Sequence, residues 1–134
     1  MGDTKINGRL RGKEILFVGF KNEAMVNIAE EIGTEGGKLV FTQDGFQALD
    51  RISLALNSGD DINLIIMDYP PLEISKVEML AELLIRDINI PLLVIFEQGE
   101  VKYLESFSSK FSSDHIVKPF SSEQFMSIVS AAAL

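Results

Sequence analysis

The sequence has 134 residues, enough for one domain that buries most of its apolar surface without disulfides or metal ions. It contains no cysteine, which excludes thiol catalysis, thiolate metal sites and disulfide bonds. The formal net charge of −8 opposes binding to nucleic acid or anionic lipid, and no apolar run is long enough for a membrane span or a secretion signal. We therefore expect a cytoplasmic protein with neither nucleic acid nor membrane as a partner.

The first half of the chain alternates short apolar runs with helical periods. Three buried strands are predicted from the runs Glu14–Val18, Lys38–Phe41 and Ile62–Met67. Asn22 and Asp44 are suitable N-caps for two helices, and Gln47 follows Asp44 at the spacing of a capping box. The spacing of apolar residues predicts the inward faces of these helices: Met25, Ile28, Ala29 and Ile32 in the first, and Phe46, Leu49, Ile52 and Leu56 in the second.

The alternation continues in the second half of the chain. A third helix is predicted near Ser75 to Asp87 and a weaker fourth one from Gly99 to Lys110. Ser121 caps the fifth helix, with Gln124 three residues later. The fourth and fifth strands are predicted at Pro91–Ile95 and Asp114–Val117. The predicted inward residues of the three helices are Val77, Leu80 and Leu84, then Val101, Leu104 and Phe107, then Phe125, Ile128 and Val129.

Five strands that alternate strictly with five helices predict an α/β fold, in which helices cover both faces of a parallel sheet. With right-handed crossovers and a chain of this length, we predict the flavodoxin-like three-layer architecture with strand order 2-1-3-4-5. Residues 1–12 are interpreted as a flexible N-terminal lead-in and residues 13–134 as the domain. In such a sheet the functional crevice lies at the carboxyl ends of the strands.

The residues that follow the strands define a candidate site. Asp68 ends the third apolar run and has the chemistry to accept a phosphoryl group as an acyl phosphate. Lys118 follows the fifth strand, and we expect it to form an ion pair with Asp68, with phosphate sensing as the alternative role. Gly19 and Phe20 follow the first strand, where a magnesium site would need carboxylates. We therefore expect Mg²⁺ binding to be lost and no cofactor to be used.

Aromatic residues occupy other positions around the predicted crevice. Phe96 ends the fourth strand, where a hydroxyl would be needed to donate a hydrogen bond to a phosphoryl oxygen, and a phenyl ring cannot donate. We expect Phe20 and Phe96 to plug the crevice together, which would stabilise the fold by about 3–6 kcal/mol if both rings are fully covered. His115, the only histidine, lies inside the fifth strand and cannot form a metal site alone. The Lys118–Pro119 bond is a candidate cis peptide.

From about Lys13 to Ala133 the chain resembles the receiver domain of two-component response regulators. The resemblance rests on the order and spacing of the segments Ile15–Val18, Asp44–Leu49, Leu64–Asp68, Ile90–Val94 and Lys118–Phe120. It implies the CheY-like form of the flavodoxin-like fold. It also implies that Asp68 stands at the position of the phosphoacceptor aspartate and Lys118 at that of the invariant lysine.

The chain departs from the family pattern at the positions that carry phosphoryl chemistry. By the resemblance, Gly19 and Phe20 replace the metal-binding acidic pair, Phe96 replaces the switch threonine or serine, and His115 replaces the switch aromatic residue. The loop after Asp68 begins with Tyr69-Pro70-Pro71-Leu72, and Lys76 stands where the loop usually has glycine. The chain is therefore similar to degenerate family members, the pseudo-receivers, which regulate through protein contacts without phosphoryl transfer.

We interpret the chain as such a module of phosphorelay signal transduction and not as an enzyme. Its contact face is predicted on the fourth helix, fifth strand and fifth helix, which receivers commonly use, at Lys102, Tyr103, Phe107, Lys110, Phe111 and His115. The candidate partners are signalling proteins such as a histidine kinase or an output domain, and a second copy of the chain bound through the same face. Two rival hypotheses are a phosphoacceptor receiver that takes a phosphoryl group on Asp68 from a histidine kinase, and a small-molecule or nucleotide binder.

Overall fold

The structure, a computed structural model, describes residues 8–69, 74–111 and 113–133. Five strands within these residues form one sheet: β1 Glu14–Val18, β2 Lys38–Thr42, β3 Leu64–Asp68, β4 Leu92–Phe96 and β5 Asp114–Val117. All neighbouring strands are parallel, and their order is β2-β1-β3-β4-β5. The predicted fold class and strand order are therefore confirmed.

A helix follows each strand. The helices are α1 Glu23–Thr34, α2 Gly45–Asn57, α3 Ile74–Ile85, α4 Leu104–Lys110 and α5 Ser122–Ala132, and a 3-10 helix at Gln98–Tyr103 precedes α4. The predicted caps are confirmed, because Asn22 and Asp44 each accept a hydrogen bond from the backbone three residues on, and Ser121 forms a capping box with Gln124. No helix in the described part of the chain is both long enough and apolar enough to cross a membrane.

The sheet separates two apolar cores. Successive residues of a strand point to opposite faces, so that Phe17 and Ile66 contribute to the core under α1 and α5, whereas Leu16 and Met67 contribute to the core under α2, α3 and α4. The apolar side chains of the central strands β1, β3 and β4 are buried on both faces. Because all five strands are parallel, their carboxyl ends lie at one edge of the sheet.

The helices on the two faces differ in how well their inward sides follow the prediction. In α1 and α5 most of the predicted residues are buried. The prediction for α2 and α3 is wrong at Phe46, Leu56, Val77 and Leu84, which are exposed. The buried positions of these two helices include Ala48, Ala55, Met79 and Leu83 together with the correctly predicted Ile52 and Leu80. Because α2 and α3 carry apolar residues on two sides, the spacing alone does not decide which side meets the sheet.

Residues 8–12 are packed against the domain. Leu10 is fully buried in the core under α1 and α5, and its backbone N–H donates to the carbonyl oxygen of Glu35 at 3.0 Å. The Arg9 guanidinium donates two hydrogen bonds to the Glu35 carboxylate, at 3.1 and 2.9 Å. The prediction of a flexible lead-in is therefore wrong for this part of the segment. Residues 1–7 lie outside the described residues, and the domain boundary stays a prediction.

Candidate functional site

Asp68 is the last residue of β3, and its half-buried side chain lies at the carboxyl edge of the sheet. The next residue is held to the sheet, because the backbone N–H of Tyr69 donates to the carbonyl oxygen of Ile95 at 2.9 Å. At the end of β1, a Cβ atom built on Gly19 would lie 3.6 Å from Oδ2 of Asp68. Position 19 is therefore adjacent to the Asp68 carboxylate, as the strand order predicts.

Charged groups from α3, from the segment after β4 and from the segment after β5 act on this carboxylate. Burial raises the pKa of Asp68 above its usual value, and this is the largest effect. The positive charges of Lys118 and Lys76 lower that pKa, and the negative charges of Glu97 and Glu100 raise it. The net result is a raised pKa, so the site holds the Asp68 charge less well than water does.

Lys76 belongs to the site, and the sequence prediction missed this role. Its side chain is only 4% exposed, and its Nζ donates to the backbone carbonyl oxygen of Asp68 at 3.1 Å. A signal for this position was present in the spacing, because Lys76, Met79, Leu80 and Leu83 lie on one side of α3. A lysine on the inward side of a helix predicts a buried amine that must find oxygen partners.

Lys118 does not form the predicted ion pair with Asp68. Among the described residues, its Nζ pairs with Oε2 of Glu97 at 3.7 Å, and both side chains are largely exposed. Such a pair contributes little to stability. The Lys118–Pro119 peptide bond is cis, as anticipated, and the backbone N–H of Lys118 donates to the carbonyl oxygen of Phe96 at 2.8 Å.

The predicted plug of two phenylalanine rings is wrong. Phe96 is buried, but the side chain of Phe20 is 82% exposed. The cause lies at Gly19, whose φ of +150° directs the chain away from the crevice before Phe20. Asn22, the N-cap of α1, then donates from Nδ2 to the carbonyl oxygen of Phe20 at 3.3 Å.

Phe96 instead joins an aromatic cluster at the β3, β4 and α4 side of the crevice. Tyr69 stacks with Phe96 at a centroid distance of 4.8 Å and with Tyr103 at 5.8 Å. Phe107 meets both Tyr69 and Phe96 edge-on, and His115 meets Phe96 edge-on at 6.5 Å. Ring contacts of this kind add to the stabilisation from burial and fix the rings relative to one another.

The predicted contact face is only partly available at the surface. Lys102, Tyr103 and His115 are exposed, and Phe111 is partly buried. Phe107 is buried, so its assignment to the contact face is wrong. Its ring lies against the sheet, where it meets the ring of Phe96 edge-on. The side chain of Lys110 lies outside the described residues.

The sequence matches no family model, and a comparison with curated proteins also gives no match. Among solved structures, the chain is similar to a response regulator receiver domain protein from Clostridium thermocellum, with a TM-score of 0.71, 17% identity and coverage of 90% of this chain and 93% of that one. It is also similar to the receiver domain of NtrX from Brucella abortus, with a TM-score of 0.71, 21% identity and coverage of 89% of this chain and 97% of that one. For full-length FixJ from B. japonicum the TM-score is 0.72 and the identity 16%, with coverage of 91% of this chain and 58% of that one. The chain has the fold of a response-regulator receiver domain.

Phosphoryl transfer in a receiver fold implies a magnesium ion, but the side chains described around Asp68 do not supply the ligands for one. Within the described residues no three His, Cys, Asp or Glu side chains lie close enough together to hold a metal ion. Mg²⁺ needs near-octahedral oxygen ligation from carboxylates and water. Gly19 supplies no side chain, and Phe20 points into solvent. Because L-residues rarely adopt the φ of Gly19, a carboxylate at this position would also require a change of the backbone.

Proposed function

We propose that the chain is a pseudo-receiver in two-component phosphorelay signal transduction, which regulates through protein contacts without accepting a phosphoryl group. The observation that carries the proposal is the end of β1, where Gly19 places no side chain beside the Asp68 carboxylate, and in the described part of the chain no group of three His, Cys, Asp or Glu side chains could hold a metal ion. Phosphoryl transfer to an aspartate needs dense positive charge on the transferring oxygens. In this proposal Asp68 keeps the position of a nucleophile, but the described residues around it do not supply the metal ligands that would provide this charge.

The other groups around Asp68 are consistent with the same reading. Phe96 provides a ring where a hydroxyl would be needed, and its stacking with Tyr69 holds that ring in place. Lys76 already donates to the backbone oxygen of Asp68. Lys118 is paired, weakly, with Glu97. These contacts engage the groups around Asp68 with one another in the absence of a phosphoryl group, which suits a module that acts without phosphorylation.

The partners of the proposed module are other signalling proteins, such as a histidine kinase, an output domain or a second copy of the chain. The exposed residues Lys102, Tyr103 and His115 provide the contact surface on the α4 and β5 side. Aromatic side chains such as that of Tyr103 are enriched where proteins bind one another. The proposal therefore gives the chain a binding role and no catalytic one.

The first prediction tests whether Asp68 accepts a phosphoryl group. We expect the protein to show no mass increase after incubation with acetyl phosphate and Mg²⁺, measured by intact-protein mass spectrometry, because the metal site is incomplete. A phosphorylatable receiver domain treated in parallel controls for the reagents. A mass gain of one phosphoryl group that is absent in Asp68→Asn would establish the rival function, a phosphoacceptor served by a histidine kinase.

A further inference from the structure

The outer side of α3 is apolar. Its members, Ile74, Val77, Ala81, Leu84 and Ile85, are all exposed, and Leu84 and Ile85 are 64% and 77% exposed. Their spacing places them in one stripe along the helix, opposite the buried row that contains Met79 and Leu83. We call these five residues the outer stripe. Scattered exposed apolar residues are ordinary, but a contiguous row of large ones marks a binding surface.

A cavity of about 320 Å³ lies beside the outer stripe. Its lining is apolar except for Asn89, and includes Leu80, Leu83 and Leu84 from α3, Pro91 from the start of β4 and Phe111 from the end of α4. The turn after α3 completes it, since the backbone N–H of Ile88 donates to the carbonyl oxygen of Leu83 at 2.9 Å and brings Ile88 into the lining. Leu84 belongs to both the cavity and the outer stripe, so the two features form one surface.

Acidic side chains border this surface. Glu78 and Glu82 lie along the α2 side of the outer stripe, and Asp87 follows its last residues. Among the described side chains of α3 and the turn after it, Arg86 is the one exposed cation. Its guanidinium is held by Glu82 at 2.8 Å and by Ser53 of α2 at 3.2 Å, and it is therefore turned away from the cavity. An apolar surface with an acidic border attracts a cationic partner, whereas a second copy of a chain with charge −8 is repelled.

We propose that the outer stripe and the adjoining cavity dock an amphipathic helix of a partner protein, with apolar residues on one side and Lys or Arg on the flanks. In this mode, apolar side chains three, four and seven residues apart lie against a groove. One bulky side chain would enter the cavity next to Leu84, and the basic flanks would meet Glu78 and Asp87. This surface lies apart from the α4 and β5 contact face, and the inference does not depend on the chemistry of Asp68.

The test uses a fluorescein-labelled helical peptide of Leu and Lys, with all leucines on one side, and measures its binding by fluorescence anisotropy. We expect Leu84→Lys to raise the Kd at least about tenfold, or 1.4 kcal/mol, because it places a charge between the outer stripe and the cavity. Leu54→Lys is the matched control, since Leu54 is 60% exposed on α2, outside this surface, and the change of charge is the same. We expect it to change the Kd less than about twofold. Ile85→Lys replaces Leu84→Lys if circular dichroism shows that the latter does not fold.

Several results would overturn the inference. One is an equal loss of affinity in Leu84→Lys and Leu54→Lys, and another is equally tight binding of a peptide with the same composition in scrambled order, since either would leave only non-specific charge attraction. A dimer in sedimentation that Leu84→Lys dissociates would make a second copy the occupant. Binding to phosphatidylcholine vesicles that the same substitution abolishes would assign the surface to lipid. None of these measurements involves phosphoryl transfer to Asp68, so they are independent of the acetyl phosphate experiment.

Discussion

The Asp68 carboxylate is a charge that the folded protein holds at a cost, because burial raises its pKa more than Lys118 and Lys76 lower it. Its pKa in the folded state therefore lies above the value of about 3.9 expected for the unfolded chain. Between these two values the folded protein binds more protons than the unfolded chain does. The free energy of unfolding consequently falls as the pH rises through this window, and the stability from protonated Asp68 is fully present only below the unfolded pKa.

From this follows the prediction that Asp68→Asn unfolds at a higher urea concentration than the wild-type protein at pH 7, since the amide removes the buried charge. The difference should shrink as the pH is lowered toward about 4. Urea unfolding followed by circular dichroism over a pH series measures it. Asp61→Asn, at an exposed position, controls for the change in net charge. A gap that stays constant at all pH values, or a variant less stable at pH 7, would contradict the assigned burial.

At the scale of elements, the contact between the first turns of α2 and α3, which we call the joint, determines the position of Lys76 in the site. A Cβ atom on Gly45 would overlap the backbone carbonyl of Ser75, and the Gly45 backbone N–H donates to Oγ of Ser75 at 3.1 Å. The first turns of the two helices are therefore in backbone contact. Because Lys76 follows Ser75, a displacement of this joint would also move the amine that binds the Asp68 carbonyl oxygen.

Gly45→Ala should accordingly lower the free energy of unfolding by about 1–3 kcal/mol, the usual cost of overpacking. Gly33→Ala is the control, because a Cβ atom at this helical position of α1 has no neighbour within 4 Å. We expect the control to stabilise the protein by about 0.5–1 kcal/mol. Urea unfolding of both variants measures whether the free energy of unfolding falls in Gly45→Ala and rises in Gly33→Ala. Equal effects at the two positions would refute the close approach of α2 and α3.

The elements themselves were predictable to different degrees. The strands follow from short apolar runs, and the caps at Asn22, Asp44 and Ser121 follow from local side-chain chemistry. The inward faces of α2 and α3 did not follow, because apolar residues on two sides give two acceptable orientations. For the same reason the spacing does not predict the burial of Lys76. It also does not predict the outer stripe, since it places Val77 and Leu84 on the inward face.

The candidate site was predictable in position but not in detail. Parallel strand order is enough to bring Gly19, Asp68 and Lys118 to one edge of the sheet. The direction of Phe20 depends on the backbone dihedral of Gly19, which residue spacing does not reveal. Lys118 pairs with the exposed Glu97 and not with the half-buried Asp68, and the energy of such an exposed pair is too small for a sequence to predict it.

At the scale of the whole molecule, Leu10 ties residues 8–12 to the core under α1 and α5. Leu10→Ala should lower the free energy of unfolding by about 2–5 kcal/mol, because the side chain is fully buried. Leu54→Ala, at an exposed position, should stay within about 0.5 kcal/mol of the wild-type protein. Chemical denaturation of the two variants measures this difference. A flexible segment would tolerate both substitutions equally.

The stacking of Tyr69 with Tyr103 has a practical consequence. The chain has two tyrosines and no tryptophan, so its ultraviolet emission arises almost entirely from this one pair of rings. Any partner or solute that disturbs the corner between β3 and α4 would alter the intrinsic fluorescence, whereas events at the α1 and α5 face would leave it nearly unchanged. The molecule thus carries an optical reporter beside Asp68 that requires no label.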